Sequence, residues 1–177
     1  MHAGMGQSDV RNKLLAIIGV LVFATVSADT TDRTVRTVQH MSATPEQVIQ
    51  AFLDNDELAA WWQVTRSLVD PEPGGVWAIA WDDWGADRTH HSWSGVIADI
   101  GPGRLVIENM VMIEPDMPLL GPMRLVILAK PDADGSSVTV THSGYGYGGH
   151  WDEMYRLVVN GWGHVLGDMQ TWFGEYD

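Results

Sequence analysis

A long apolar stripe near the C-terminal end constrains the fold of this chain more than any other feature. It predicts an amphipathic helix of about six turns, whose apolar face must cover another apolar surface. Three glycines lie in the stripe, and each costs about 1 kcal/mol relative to alanine inside a helix. We therefore expect a sheet or a ligand to approach the helix closely at Gly161, Gly163 and Gly167. The stripe recurs at three- and four-residue steps through Met154, Leu157, Val158, Gly161, Trp162, Val165, Leu166, Met169, Trp172 and Phe173.

The residues before this helix predict a β-rich domain. Its sheet would provide the apolar surface that the helix covers. Residues 33–41 are rich in β-branched side chains and predict a strand. Residues 44–47, Thr-Pro-Glu-Gln, predict a helix start with a capping box. Asp54-Asn55 predicts the cap of a second short helix over residues 56–63. Further strands, separated by turn residues, are predicted at 76–81, 93–100, 105–113, 123–129 and 137–143.

The first 28 residues have the pattern of a secretory signal peptide. Arg11 and Lys13 precede an uncharged apolar run over residues 14–26, and small residues follow at 26–28. The run is too short to span a bilayer comfortably, so we expect no stable membrane insertion after cleavage. The pattern predicts an exported (periplasmic or secreted) domain over residues 33–177. One alternative is that this segment is a buried strand or helix of the mature domain. The other is a mis-assigned start codon, in which case the protein is cytoplasmic.

Composition excludes several classes of partner and cofactor. The 177 residues carry a formal charge of −13, which disfavours nucleic acids and anionic membranes. The chain has no cysteine, and therefore no disulfide, thiolate nucleophile or Cys-ligated metal centre. We predict no cofactor, and the oligomeric state is left open. A polar stretch predicted as a loop over residues 82–91 matches no defined zinc or calcium motif, so we predict no metal site from Asp82, Asp83, Asp87, His90 and His91.

The aromatic residues predict a pocket for a flat or lipid-like molecule. The chain has nine tryptophans, more than the packing of one small domain requires. In the strand over 76–81, alternation places the two tryptophans on one face, and we expect both faces to be covered. Alternation also turns His142 inward with Val138 and Val140. The predicted ligand-binding residues are Trp62, Trp77, Trp81, Trp93, His142, Tyr145 and Trp162.

The order of elements and several short motifs carry a family resemblance. A strand, two short helices, six strands and a long helix resemble the α+β helix-grip fold of the START-like (SRPBCC, Bet v 1-like) superfamily. Within it the chain resembles the family named for the activator of the heat-shock protein 90 ATPase. The resemblance implies a curved antiparallel sheet wrapped around the long C-terminal helix, with a cavity between them. The motifs are residues 56–62 (DELAAWW), 73–75 (PGG), 95–97 (GVI), 104–107 (RLVI), 141–145 (THSGY), 161–162 (GW) and 165–166 (VL).

Members of this superfamily include lipid carriers, polyketide cyclases and co-chaperones, so the resemblance leaves three functions open. The first, which we favour, is a non-catalytic binder or carrier of a small hydrophobic molecule, without a convergent acid–base pair in its cavity. The second is a cavity enzyme of cyclase, dehydratase or hydrolase type. It would use His142 with Glu108 or His150, and needs two of them near a common point. The third is a co-chaperone-like interaction module, which predicts a filled pocket and an exposed apolar patch.

Two further site predictions depend on how the chain is arranged. Glu108 becomes a candidate acid or base if its strand face is the inner one, and is simply solvated if it is the outer one. The glycine-rich residues 144–149 predict a lid at the cavity mouth, or else a plain connection before the helix. A co-chaperone role fits an exported protein poorly, because the chaperone partner for which the family is named is cytosolic.

Overall fold

The computed structural model of the protein describes residues 33–84 and 89–175, without the side chains of residues 83, 84 and 89. The predicted signal peptide over residues 1–28 lies outside them and stays a prediction. In the described part of the chain, seven strands and three helices follow one another as β1 (Arg33–Met41), α1 (Pro45–Ala51), α2 (Asn55–Trp62), β2 (Arg66–Val69), β3 (Val76–Trp84), β4 (Thr89–Gly101), β5 (Arg104–Ile113), β6 (Leu120–Asp132), β7 (Gly135–Tyr145) and α3 (His150–Gly174).

The seven strands form one curved antiparallel sheet in the order β1-β7-β6-β5-β4-β3-β2. Strands β2 to β7 therefore form a simple meander. The first strand, β1, pairs with the last strand, β7, and forms one edge of the sheet. The long helix α3 contacts β1, β7 and α2. This arrangement confirms the predicted helix-grip α+β fold. No helix within residues 33–84 and 89–175 has the length and apolar character needed to cross a membrane.

Both short helices begin where the sequence predicts a cap. The Thr44 hydroxyl accepts a hydrogen bond from the Gln47 amide at 3.3 Å, and the Gln47 side chain accepts one from the Thr44 amide at 2.8 Å. At the start of α2 the Asp54 carboxylate accepts from the amides of Asp56 and Glu57 at 2.8 and 3.0 Å. These side chains satisfy amides that have no partner inside the helix, which confirms both predicted starts.

The strands differ from the prediction mainly at β2 and at one hairpin. The sequence pattern located only five of the six strands that follow the helices, because β2 is four residues long and too short for a clear period. The predicted polar loop over 82–91 is largely strand, since β3 and β4 keep pairing as far as Trp84 and Thr89. Only residues 85–88 separate the two strands. A hairpin with many polar side chains has the same composition as a loop, so composition alone predicts a loop there.

The strand β3 is covered on one face only, which corrects the expectation of two covered faces. Trp77, Ile79 and Trp81 are almost completely buried beneath the helices. On the other face Val76 and its β4 partner Val96 are 36% and 40% exposed. The helices all lie on one side of a single sheet, so small residues alternate outward toward water.

The glycines of α3 do not mark a close approach to the sheet, which removes one of the two alternatives expected for them. A Cβ atom built on Gly161, Gly163 or Gly167 would meet no described atom within 4 Å. The sheet therefore does not account for their cost in helix stability. Gly161 instead leaves open space next to the helix.

Three buried tryptophans hold the ends of α1 and α2. The last carbonyl groups of a helix have no partner within the helix, and buried carbonyl groups need one. Here the hydrogen-bond donors for these carbonyl groups are indole N–H groups of tryptophans on the neighbouring helix and on β3. The hydrogen bonds run from Trp61 Nε1 to Ala51 O at 2.8 Å, from Trp77 Nε1 to Phe52 O at 2.8 Å, and from Trp81 Nε1 to Trp62 O at 3.0 Å.

We predict that Trp77→Phe destabilises the protein by about 1–3 kcal/mol, because it leaves the buried Phe52 carbonyl without a donor. Loss of indole volume adds to this cost. Urea unfolding followed by circular dichroism measures the change. The matched control is Trp151→Phe, since the indole N–H of the half-buried Trp151 makes no hydrogen bond in the described structure. Equal destabilisation by the two substitutions would contradict a role for the indole donor.

Candidate functional site

A pocket of about 280 Å³ lies between α3 and the end of the sheet formed by β3 and β4. Helix α2 supplies one wall and the residue after β5 another. The exposed Leu157 belongs to the lining, so the pocket reaches the protein surface. Its lining consists of Trp62, Trp81, His91, Trp93, Glu114, Met154, Leu157, Val158, Gly161, Trp162 and Val165.

Four tryptophans in contact with one another form the apolar wall of this pocket. The ring of Trp62 lies at the centre, with ring-centroid distances of 5.3 Å to Trp81, 5.7 Å to Trp93 and 5.6 Å to Trp162. Behind it, the ring of Trp61 stacks on Trp62 at 4.9 Å. Edge-to-face and stacked contacts of this kind stabilise aromatic clusters beyond their burial. The wall is therefore preorganised.

One pair of titratable side chains interrupts the apolar lining. His91 Nδ1 is hydrogen bonded to Glu114 Oε2, and Trp93 Nε1 donates to Glu114 Oε1 at 3.4 Å. The two side chains are 21% and 10% exposed. A largely buried carboxylate requires such partners, because burial without them is costly.

Sequence reasoning missed this pair. It considered His91 only as a metal ligand and did not single out Glu114. The structure brings the two residues together by strand register: β4 and β5 pair Ser92 with Ile113, so the next residues outward, His91 and Glu114, come opposite each other. The signal that could have found the pair is this register, which short loops permit but a single sequence does not specify.

A second polar group lies deeper in the core, and the prediction that His142 points inward is confirmed. The His142 side chain is completely buried. Its Nδ1 atom accepts a hydrogen bond from the Tyr145 hydroxyl at 2.7 Å and one from Trp162 Nε1 at 3.4 Å. An indole N–H can only donate, so Nδ1 is unprotonated and the ring proton lies on Nε2. Nε2 has no hydrogen-bond partner among the described residues.

Burial decides the ionisation of this core group. Desolvation lowers the pKa of His142 from 6.5 to about 3, so the imidazole is neutral near pH 7. Desolvation also raises the pKa of Tyr145, and the charge of Tyr155 adds to that shift. His142 therefore acts here as a neutral hydrogen-bonding core residue.

The structure brings together four of the seven predicted ligand-binding residues. Trp62, Trp81, Trp93 and Trp162 line the pocket. The other three are core residues behind it and do not belong to its lining: Trp77, His142 and Tyr145.

The predicted lid over residues 144–149 is not at the pocket, since none of its residues belongs to the lining. The segment is held by Arg33 instead. The guanidinium of Arg33 donates to the Gly146 carbonyl at 3.3 Å, forms an ion pair with Asp152, and lies 4.2 Å from the ring centroid of Tyr147. These contacts anchor the connection between β7 and α3.

None of the three predicted proton-transfer residues lines the pocket. A bulge in β5 at Asn109, whose φ is 52°, breaks the alternation that placed Glu108 on the face of Met110. Glu108 consequently faces outward and pairs with Arg124 at 3.2 Å, whereas Met110 is buried. His150 is exposed at the first turn of α3. The required convergence of His142, Glu108 and His150 is not found.

The residues considered for a metal site are separated by the strand alternation. His90 Nδ1 contacts the Asp82 carboxylate at 2.7 Å on the exposed side, whereas His91 turns toward the pocket. Asp87 and the side chain of Asp83 lie outside the described residues. In the part of the chain that the structure describes, no group of three or more histidine and acidic side chains could hold a metal ion.

A family model described as Activator of Hsp90 ATPase homolog 1-like protein matches residues 42–174. The chain belongs to this family. The matched range contains α1, α2, the meander β2 to β7 and α3, and therefore every residue that lines the pocket. The suspected family is thereby confirmed.

Solved structures with the same fold come from several bacteria. The AHSA1 protein of Silicibacter pomeroyi is 16% identical with a TM-score of 0.66, and the match covers 82% of this chain and all of that one. A protein of Chromobacterium violaceum is 24% identical with a TM-score of 0.62, covering 78% and 94% of the two chains. An uncharacterised protein of Rhizobium leguminosarum is 17% identical with a TM-score of 0.64, covering 81% and 95%. At these identities the similarity shows the fold. A comparison with curated proteins gives no match.

We predict that acid destabilises this protein partly through His142. The folded-state pKa of His142 is lowered, so its contribution is fully present above the unfolded pKa of 6.5 and is lost progressively as the pH falls from there toward about 3. Between pH 7 and pH 5 the free energy of unfolding should fall by about 2 kcal/mol from this group.

Urea unfolding at the two pH values, for wild type and His142→Gln, measures this contribution as the difference between their pH slopes. His164→Gln is the matched control, because His164 lies exposed on α3 and remains in water in the folded protein. A His142→Gln variant that keeps the full wild-type pH dependence would contradict the assignment.

Proposed function

We propose that this member of the Hsp90 ATPase activator-like family is an exported protein that binds or carries a small apolar, ring-containing molecule. The ligand site is the pocket between α3 and the sheet. One observation carries the proposal: apart from one His–Glu pair, apolar side chains and the open surface of Gly161 form the pocket wall. A preorganised apolar site with few polar groups is typical of a small-molecule binding site.

The pocket size narrows the ligand class. Pockets that hold drug-sized ligands have volumes of roughly 300–1,000 Å³. At about 280 Å³ this pocket is just below that range and suits a molecule of one or two rings. The tryptophan faces favour a flat ring, which can stack on them or meet them edge to face.

The His91–Glu114 pair supports a second candidate function, a cavity enzyme. A carboxylate that orients an imidazole at a pocket is a known arrangement for a general base. In this enzyme the proton-transfer group would be His91 rather than the predicted His142, which is buried behind the pocket. Turnover of a bound ligand, lost in His91→Gln, would establish this alternative. The interaction-module alternative predicted a filled pocket, and the open pocket gives it no support.

We predict that Gly161→Leu abolishes binding of a two-ring probe such as 1-naphthylmethanol. Gly161 lines the pocket, and a Cβ atom added there meets no described atom within 4 Å, so we expect a leucine side chain to extend into the pocket. Replacing glycine by leucine also favours the helix, so the variant should fold with equal or greater stability. Isothermal titration calorimetry of wild type and variant measures the loss.

Gly163→Leu is the matched control for this experiment. Gly163 lies two residues away in the same helix, is exposed, and has open space around it outside the pocket. It should bind the probe as the wild type does. Saturable binding that survives Gly161→Leu would move the ligand site elsewhere. Absence of binding in the wild type, together with no small molecule co-purifying by native mass spectrometry, would overturn the proposed function.

A further inference from the structure

The head group of the ligand is constrained by the acidic side chain in the pocket wall. Glu114 is the one acidic residue in the described lining, and its side chain is 10% exposed. We propose that Glu114 selects ligands by charge, so that the pocket takes a ring-containing molecule with a protonated amine and rejects the corresponding carboxylate. This inference rests on the proposed function, because it assigns the polar end of the same ligand.

The hydrogen bonding of Glu114 leaves room for a ligand donor. An ionised carboxylate has about four acceptor positions on its two oxygens. One oxygen, Oε2, is bonded to His91, whereas the other, Oε1, receives the indole N–H of Trp93 at 3.4 Å. The usual N–H···O distance is about 2.7–3.2 Å, so the contact to Oε1 is weak. A ligand N–H group could donate a charge-assisted hydrogen bond to Oε1 and so complete the hydrogen bonding of the Glu114 carboxylate.

The surroundings of Glu114 favour a cation over a neutral donor. Ammonium groups are attracted to the faces of tryptophan rings, and four such rings line the pocket, with Trp93 in contact with Glu114. The formal charge of −13 on the whole chain adds a negative potential that raises the local concentration of cations. These effects act in the same direction as the hydrogen bond to Oε1.

The same surroundings disfavour an anionic ligand. A ligand carboxylate at this end of the pocket would bring a second negative charge beside Glu114 in a largely apolar site, where like charges repel strongly. Its oxygens could not donate to Oε1. His91 Nδ1 is already hydrogen bonded to Glu114 Oε2, so this atom does not bind a ligand carboxylate.

Three probes that share one ring system test the inference on the wild-type protein. Calorimetric titrations at pH 7 and low salt compare 1-naphthylmethylamine, 1-naphthylmethanol and 1-naphthoic acid. We expect the amine to bind about tenfold more tightly than the alcohol, because charge-assisted hydrogen bonds exceed neutral ones by about this factor. The acid should show no saturable binding. The amine should also lose affinity as the salt concentration rises.

Two variants locate the selectivity. Glu114→Gln should reduce the amine-to-alcohol affinity ratio to about one, because the amide removes the charge and keeps the shape of the side chain. Glu108→Gln is the matched control: it also neutralises a β5-region glutamate, but one that faces outward beside Arg124, and the ratio should stay near ten.

The outcomes separate this inference from the proposed function. If the alcohol binds and the amine binds no more tightly, or if the acid binds best, charge selection by Glu114 is wrong while the apolar pocket stands. A ratio that persists in Glu114→Gln also overturns it. If none of the three probes binds the wild type, the proposed function fails and the inference fails with it.

Discussion

The architecture of the candidate site depends on indole N–H groups that close the ends of two short helices. Helices of seven and eight residues are too short to be stable alone, and their last carbonyl groups are buried. Trp77 and Trp81 reach from β3 to the ends of α1 and α2, so the sheet itself provides the missing donors. This connection fixes Trp62 at the end of α2, where its ring becomes the centre of the pocket wall.

Two inward-facing histidines show how surroundings set the role of a residue type. His142, on β7, is sealed beneath Trp93 and Trp162 and kept neutral by desolvation. His91, near the end of β4, meets a carboxylate and a pocket that reaches the surface. His142 contributes to the packing of the core. His91 and its partner Glu114 are the polar part of a pocket whose other described lining residues are mainly apolar. The polar chemistry of the site therefore lies at the pocket rather than in the buried core.

Much of the fold could be predicted because it follows from local patterns. The stripe that begins at Met154 predicts α3, and the Thr44 cap predicts the start of α1. The inward direction of His142 follows from strand alternation. Prediction failed where alternation is interrupted or pairing decides: the positive φ of Asn109 turns Glu108 outward, and β2 is too short to show a period. The predicted signal peptide over residues 1–28 remains a prediction from sequence.

The sequence by itself determined the order of the elements, the helix caps and the supply of tryptophans, because periodicity and capping act over a few neighbouring residues. It also carried the motifs that place the chain in its family. Only the tertiary structure decided which tryptophans line a pocket and which cap a helix, and that His91 meets Glu114. Those contacts join residues on different strands and helices, and their register depends on the whole sheet, which no local pattern encodes.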